Sequence, residues 1–169
     1  MLTHNAVIGL GANLDDPVQK IIDARNRLLK DTAIIALECS SLYLSSPVGD
    51  NSQEDFLNCV CFIETHLTAF QLLDLLQSIE NEMGRTRNPE NQNAPRIIDL
   101  DLILFADQQI ETQRLTVPHP RLHERRFVLE PLFELMPDRM INQTKNVSQV
   151  LTDGRQEGCF VGQALYRIG

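Results

Sequence analysis

Ile97-Ile-Asp-Leu-Asp-Leu-Ile-Leu-Phe105 is the most apolar run of the sequence, and its reading decides the fold. It reads as a central strand, with Asp99 and Asp101 on one face and Ile98, Leu100, Leu102 and Leu104 on the other. Upstream lies a polar loop over 85–96, punctuated by Pro89 and Pro95. Before it, Thr68-x-x-Gln71 is a capping box that opens a helix. Leu72, Leu75, Leu76, Ile79 and Met83 form the buried face of that helix, and Gly84 ends it. Phe56–Thr65 reads as a strand, 46–55 as a loop, and 33–44 as one long, imperfectly alternating strand. Asp16 and Pro17 are an N-cap and a first helical position, with Val18, Ile21, Ile22, Leu28 and Leu29 carrying that helix to about Lys30. Residues 6–10 supply the first strand.

The order is strand–helix–strand–strand–helix–strand, which predicts an α+β fold with a ferredoxin-like βαββαβ core. Crossover handedness puts both helices on one face of an antiparallel sheet and leaves the other face free. Further along, a hairpin is expected over Phe105–Glu111, a helix near His123–Met136, and one or two helical turns at Val147–Leu151. Beyond Pro137 the patterning weakens.

The chain has 169 residues, so a single domain over 1–169 is expected, one able to bury about 68–70% of its extended surface. Its 43% hydrophobic and 22% charged content argues against disorder. A net charge of -8 repels phosphate backbones, so neither a nucleic-acid nor a membrane partner is expected. That charge is uneven. Residues 31–84 hold nine acids and no Lys or Arg, whereas 85–126 hold seven Arg against six acids. This suits a local anion site, because the guanidinium fork matches phosphate oxygens. Surface ion pairing would suit it equally.

Cys39, Cys59, Cys61 and Cys159 lack zinc-ligand spacing, and Cys59 and Cys61 are too constrained on one strand face for a mutual disulfide. Four free thiols would fit the reducing cytoplasm. No apolar stretch approaches a membrane span, and no signal peptide is expected.

Two carboxylates about 7 Å apart on a central strand repel unless a cation or arginines compensate. Taken alone, the Asp99/Asp101 pair fits either a magnesium site or an exposed pair on a solvated face. Arg85, Arg87, Arg96, Arg114, His119 and Arg125 lie within a loop or hairpin of it. Carboxylate-held metal with several arginines is the equipment of phosphoryl-type transfer. Gly9-x-Gly11-x-x-Leu14 is no dinucleotide fingerprint, and Lys is absent from 31 to 144, which excludes a P-loop.

The run Ala94-Pro-Arg-Ile-Ile-Asp-Leu-Asp-Leu-Ile103 closely resembles the signature of the 6-hydroxymethyl-7,8-dihydropterin pyrophosphokinase family. Gly11-Ala-Asn13, Ser41-x-Tyr43, Phe56-Leu-Asn58, Gly84-Arg-x-Arg87, Leu115-Thr-Val-Pro-His119 and Arg125-x-Phe127 extend the resemblance over about residues 5–138. It implies transfer of pyrophosphate from ATP to a reduced pterin, with release of AMP, by a cytoplasmic and monomeric enzyme of folate biosynthesis. By the same resemblance, Asp99 and Asp101 would hold two Mg²⁺ ions, and Arg85 and Arg96 would close over the triphosphate. Glu80, Arg87, Arg114, Thr116, His119 and Arg125 would contact ATP. Phe56 and Phe127 would sandwich the pterin, and Asn58 with the backbone of Ser45 and Val48 would read its edge. No general base is evident.

The sequence departs from the family pattern at Gln92-Asn93, where a basic and an aromatic residue are common, at Ala12 and at Pro120. Two other classes share features with the chain. A ferredoxin-like RNA binder would need basic strands, which 31–84 do not offer. A metal-dependent phosphohydrolase could use the same two aspartates without a pterin.

Overall fold

The structure is a computed structural model that describes residues 1–47, 52–85 and 95–154, together with the backbone of 161–167. Strand β1 (His4–Ala12) is followed by helix α1 (Pro17–Leu28), β2 (Ile34–Cys39), β3 (Ser41–Ser45), β4 (Phe56–Thr65), helix α2 (Ala69–Glu82) and β5 (Asp99–Phe105). The caps are as their residue types dictate. Asp16 accepts the Gln19 N–H, Thr68 and Gln71 form a reciprocal box, and Gly84 adopts a φ of +85° after α2.

All strand pairings are antiparallel, in the order β5-β1-β4-β3, with β2 also pairing β4. The long strand expected over 33–44 is two strands. It breaks at Ser40, which is buried; its hydroxyl accepts the Val60 N–H and donates to the Ser41 carbonyl. A side-chain hydroxyl thus stands in for a ladder bond where the strand bends.

Helices α1 and α2 cover one face through Ile21, Ala24, Leu28, Leu72, Leu76 and Ile79. The expectation of a free opposite face is corrected. Helix α3 (Arg126–Leu135) and helix α4 (Val147–Thr152) pack there against Val7, Val60, Ile103 and Leu104. The partner residues explain why. Val7 pairs Leu104 and Ile8 pairs Leu102, so Ile103 is an extra residue in β5. This bulge reverses the alternation and sends Leu104 to the second face, against expectation. The apolar stripe of α3 then has a floor of its own.

The expected hairpin over Phe105–Glu111 is also corrected. The chain turns at Ala106, which has a φ of +46°, and the hairpin proper pairs β6 (Ile110–Glu111) with β7 (Thr116–Val117). The helix expected near His123–Met136 divides into a 3-10 turn over Leu122–Glu124 and α3. A last strand, β8 (Val161–Arg167), pairs β3 and was not foreseen, because it lies where the hydropathy pattern fades.

The thiol expectation fails as well. Cys39 and Cys61 face each other across the β2–β4 pairing and form a disulfide. Cys59 is a free, buried thiol, which burial and the Glu134 charge push up to about 12. Cys159 lies outside the described residues. The count of four free thiols therefore no longer stands, and it carries no argument about the compartment. No described helix is long and apolar enough to cross a membrane.

Candidate active site

The face of the sheet that carries α3 is covered only along part of its length. Beyond Val7 and Val60 the strands present Gly9 and Gly11 on β1, flanked by Asp101 and Asp99 on β5. Asn58 on β4 pairs Gly11 from the other side. Two residues without side chains thus separate a pair of carboxylates from an amide. The resulting hollow is lined by Gly9, Gly11, Asn58, Asp99, Asp101 and Phe127.

The carboxylates are held by arginines that the sequence scatters over 40 residues. Asp99 Oδ1 lies 2.5 Å from Arg85 Nη1, and Asp99 Oδ2 lies 2.7 Å from Arg96 Nη1. Arg125, at the N-cap of α3, donates to Asp101 Oδ2 at 3.0 Å. Burial first, and the Asp99 charge second, raise the Asp101 carboxyl above its ordinary value, while Arg125 and Arg85 oppose the shift. Its side chain nevertheless keeps 36% exposure, so a ligand can reach it.

Glu80 is 1% exposed. Its carboxylate pairs with Arg85 and accepts the Leu100 N–H at 2.7 Å, which caps the outer edge of β5. Glu80 therefore anchors Arg85 and the strand, in addition to any contact with nucleotide.

The Phe56 ring lies under the Arg96 guanidinium and the Phe127 ring under that of Arg125, each 5.7 Å from ring centroid to Cζ. Asn58 Nδ2 donates to the Ser45 hydroxyl at 2.7 Å, leaving its carbonyl oxygen beside Gly11. Ser45 is buried. The two carboxylates, the Phe127 ring and the Asn58 amide thus share one hollow, while Phe56 is not among the residues that line it.

The remaining predicted residues stand further out. Arg114 pairs with Asp74 of α2, both about half exposed, and Thr116 lies on β7. His119 follows a cis Val117–Pro118 peptide, and its N–H donates to the Ile103 carbonyl at 2.8 Å. Its Nδ1 accepts the Arg121 N–H at 3.1 Å. Burial first, then the charges of Arg125 and Arg121, lower its pKa to about 4. Val48, Arg87 and Gln92-Asn93 lie outside the described residues.

Three contributors, Asn13, Gly9 and Gly11, carry no role in the sequence reading. Asn13 is buried; its Oδ1 accepts the Arg96 N–H at 2.9 Å and its Nδ2 donates to the Glu54 carbonyl at 3.2 Å. It fastens the two loop roots on either side of the hollow. The signal was a polar residue directly after an apolar strand, in Gly11-Ala-Asn13. Gly9 and Gly11 belong to a failed nucleotide fingerprint, and Gly11 also to the family resemblance, with no role in the site attached to either, although alternate glycines on a strand already mark a close approach.

Among the described residues no group of three or more His, Cys, Asp or Glu could hold a metal ion. Two carboxylates are nonetheless a fitting donor set for Mg²⁺, which fills its shell with water and substrate phosphates. Each Asp99 oxygen is shared with an arginine, so it would bind a cation more strongly once Arg85 and Arg96 turn away. An incoming polyphosphate would give those arginines new partners.

The family model described as 7,8-dihydro-6-hydroxymethylpterin-pyrophosphokinase (HPPK) matches residues 7–137. The 2-amino-4-hydroxy-6-hydroxymethyldihydropteridine pyrophosphokinase of Bacillus subtilis is 46% identical over 134 residues, 79% of each chain. The Pseudomonas aeruginosa protein of that name is 39% identical over 160 residues, 93% of this chain and 96% of its own length. The solved Plasmodium falciparum HPPK-DHPS with pteroate superposes with a TM-score of 0.73 at 15% identity. That match covers 90% of this chain and 42% of the longer one, and it speaks for the fold alone.

Proposed function

Because the chain belongs to the 7,8-dihydro-6-hydroxymethylpterin-pyrophosphokinase family, we propose that the hollow between Asp99/Asp101 and Asn58 is where it transfers pyrophosphate from ATP to 6-hydroxymethyl-7,8-dihydropterin. The activity belongs to folate biosynthesis and releases AMP. The hydroxymethyl oxygen bonds to the β-phosphorus as the bridging oxygen departs with AMP, and the hydroxyl proton is lost. No residue is assigned as its acceptor.

The observation that carries this reading is the pairing of each catalytic-type carboxylate with an arginine beside an open, glycine-floored hollow. Asp99 and Asp101 are the residues that would hold two Mg²⁺ ions, which when bound supply charge neutralisation to the phosphates. Arg85 and Arg96 exchange Asp99 for the triphosphate, so the resting ion pairs serve as storage for the arginines. Moving them into a water-poor closed site strengthens their pull on charge that develops in the transition state. Glu80, Arg87, Arg114, Thr116, His119 and Arg125 form the ATP side.

Phe56 and Phe127 hold the flat pterin between their faces, and Asn58 with the backbone of Ser45 and Val48 reads its edge. The chain acts as one pyrophosphokinase domain over 1–169, as a monomer on small molecules, without nucleic-acid or membrane partners. The cytoplasm, which supplies ATP, is the compartment proposed for it.

Incubation with ATP, Mg²⁺ and the pterin, followed by nucleotide analysis, tests the reading. AMP formed in step with pterin diphosphate is the expected result. ADP, or ATP loss independent of pterin, would replace it with a hydrolase.

A further inference from the structure

Helix α3 starts at the hollow and ends over β3, and one side chain fastens that far end. Glu134 Oε1 accepts both the backbone N–H and the hydroxyl of Ser41, each at 3.0 Å. Its Oε2 accepts the Tyr43 hydroxyl at 2.7 Å. Three hydrogen bonds to one carboxylate tie α3 to β3, although Glu134 itself lies on the exposed rim. Their charge-assisted character makes them stronger than ordinary surface contacts.

Two relationships connect this clamp to the hollow. Phe127 and Glu134 are seven residues apart, two helical turns, so they lie on one face of α3 about 10.5 Å apart along its axis. On β3, Tyr43 pairs directly with Asn58, and Ser45, two residues on, takes the Asn58 amide. Glu134 thus grips the strand that orients Asn58 from the helix that carries Phe127. Arg125 holds the near end of the same helix to Asp101. With both ends fixed, α3 has one position over the sheet.

We propose that Glu134 is a positioning residue for pterin binding: by clamping α3 to Ser41 and Tyr43 it sets the spacing between the Phe127 ring and the Asn58 amide. It touches no substrate. The proposal rests on the pterin reading of the hollow, and its consequence is selective. Loss of the clamp loosens the pterin side, while Asp99, Arg85 and Arg96 keep their own anchors at the other side.

The test compares Glu134→Ala, Glu134→Gln and Tyr43→Phe with the parent chain, in steady-state kinetics and in NMR of the ligand-free protein. Glu134→Ala is expected to raise the pterin KM by about tenfold, the equilibrium equivalent of one hydrogen bond to a charged group. The KM for ATP should change much less, because Arg125, the ATP-side residue on α3, is held to Asp101 at the near end of the helix. Glu134→Gln, which keeps an oxygen for Ser41, should recover most of that loss. Tyr43→Phe should move the pterin KM the same way by less, and it carries the test should Glu134→Ala not fold.

In the ligand-free protein, Glu134→Ala should displace the Phe127 ring and Asn58 side-chain amide signals. A lowered melting temperature with an unchanged pterin KM and unmoved Phe127 signals would overturn the proposal. So would equal losses for ATP and pterin. Absence of any pterin-dependent AMP in the parent chain would sink the functional reading instead, and the NMR comparison would still decide the positioning claim.

Discussion

A Cβ placed on Gly11 would lie 2.9 Å from the side-chain oxygen of Asn58, closer than side chains tolerate. Asn58 is buried and committed to Ser45, so it cannot step aside freely. Gly11→Ala is therefore expected to cost about 1–3 kcal/mol of stability through overpacking. It should also weaken pterin affinity, because Asn58 is the group displaced. At Gly9 the nearest atom to an added Cβ is the flexible end of Ile103, at 3.6 Å, so Gly9→Ala should be nearly silent in denaturant melts. Equal melts for the two variants would contradict this account.

The two aspartates should respond differently to neutralisation. Asp99 is gripped by two arginines and Asp101 by one, with burial and its neighbour's charge working against it. Asp101→Asn removes like-charge repulsion and should leave the ligand-free fold as stable as before, or more so. Asp99→Asn removes the Asp99 carboxylate from Arg96 and one of the two carboxylates that hold Arg85, and should lower the melting temperature. Both should cripple turnover. Full activity of either variant at limiting Mg²⁺ would remove it from the metal site.

Arg96 and Phe127 should separate by kinetic signature. Removing Arg96 should lower kcat by on the order of 10²-fold, as for other donors aimed at transition-state charge. Its guanidinium also covers Phe56, so a small rise in pterin KM should accompany the fall. Phe127→Ala should weaken pterin binding by about 1–3 kcal/mol, if its stack resembles base–aromatic contacts. Single-turnover rates at saturating pterin distinguish the two; unchanged chemistry in Arg96→Ala would contradict its role.

His119 should be neutral at pH 7, with the proton on Nε2, because Nδ1 accepts the Arg121 N–H. Its pKa falls from 6.5 to about 4 in the folded chain, so the unfolded chain binds the proton more readily. The stability this residue contributes is full above pH 6.5 and is lost as pH falls toward 4. An NMR titration of the imidazole, alongside urea melts between those limits, checks both statements. A midpoint near 6.5 would refute them.

The Cys39–Cys61 bridge closes a loop with a sequence separation of 22, for which chain entropy suggests about 3 kcal/mol of stabilisation. Reduction, or Cys61→Ser, should lower the melting temperature accordingly. Cys59, buried and poorly ionised, should resist alkylation until the chain unfolds. Mass mapping of alkylated thiols in native and denatured protein reads both. Free Cys39 and Cys61 in protein from an oxidising preparation would contradict the bridge.

By itself the sequence determined the elements built from local rules: the α1 and α2 caps, strand β4 and the carboxylate pair on β5. Period and capping chemistry operate within a few residues, so they can be read without knowing what packs where. The family signature likewise supplied the reaction, because its motif is contiguous around Asp99 and Asp101. What only the tertiary structure decided depends on contacts between distant segments. The Ile103 bulge exists because β5 must satisfy β1 on one side and α3 on another face, so Leu104 lies opposite to where alternation put it. Asn13, Glu134 and the Cys39–Cys61 pair act through partners 22 to 93 residues away. Such pairings leave no periodic trace in the chain, since they are fixed by which strands become neighbours when the sheet closes.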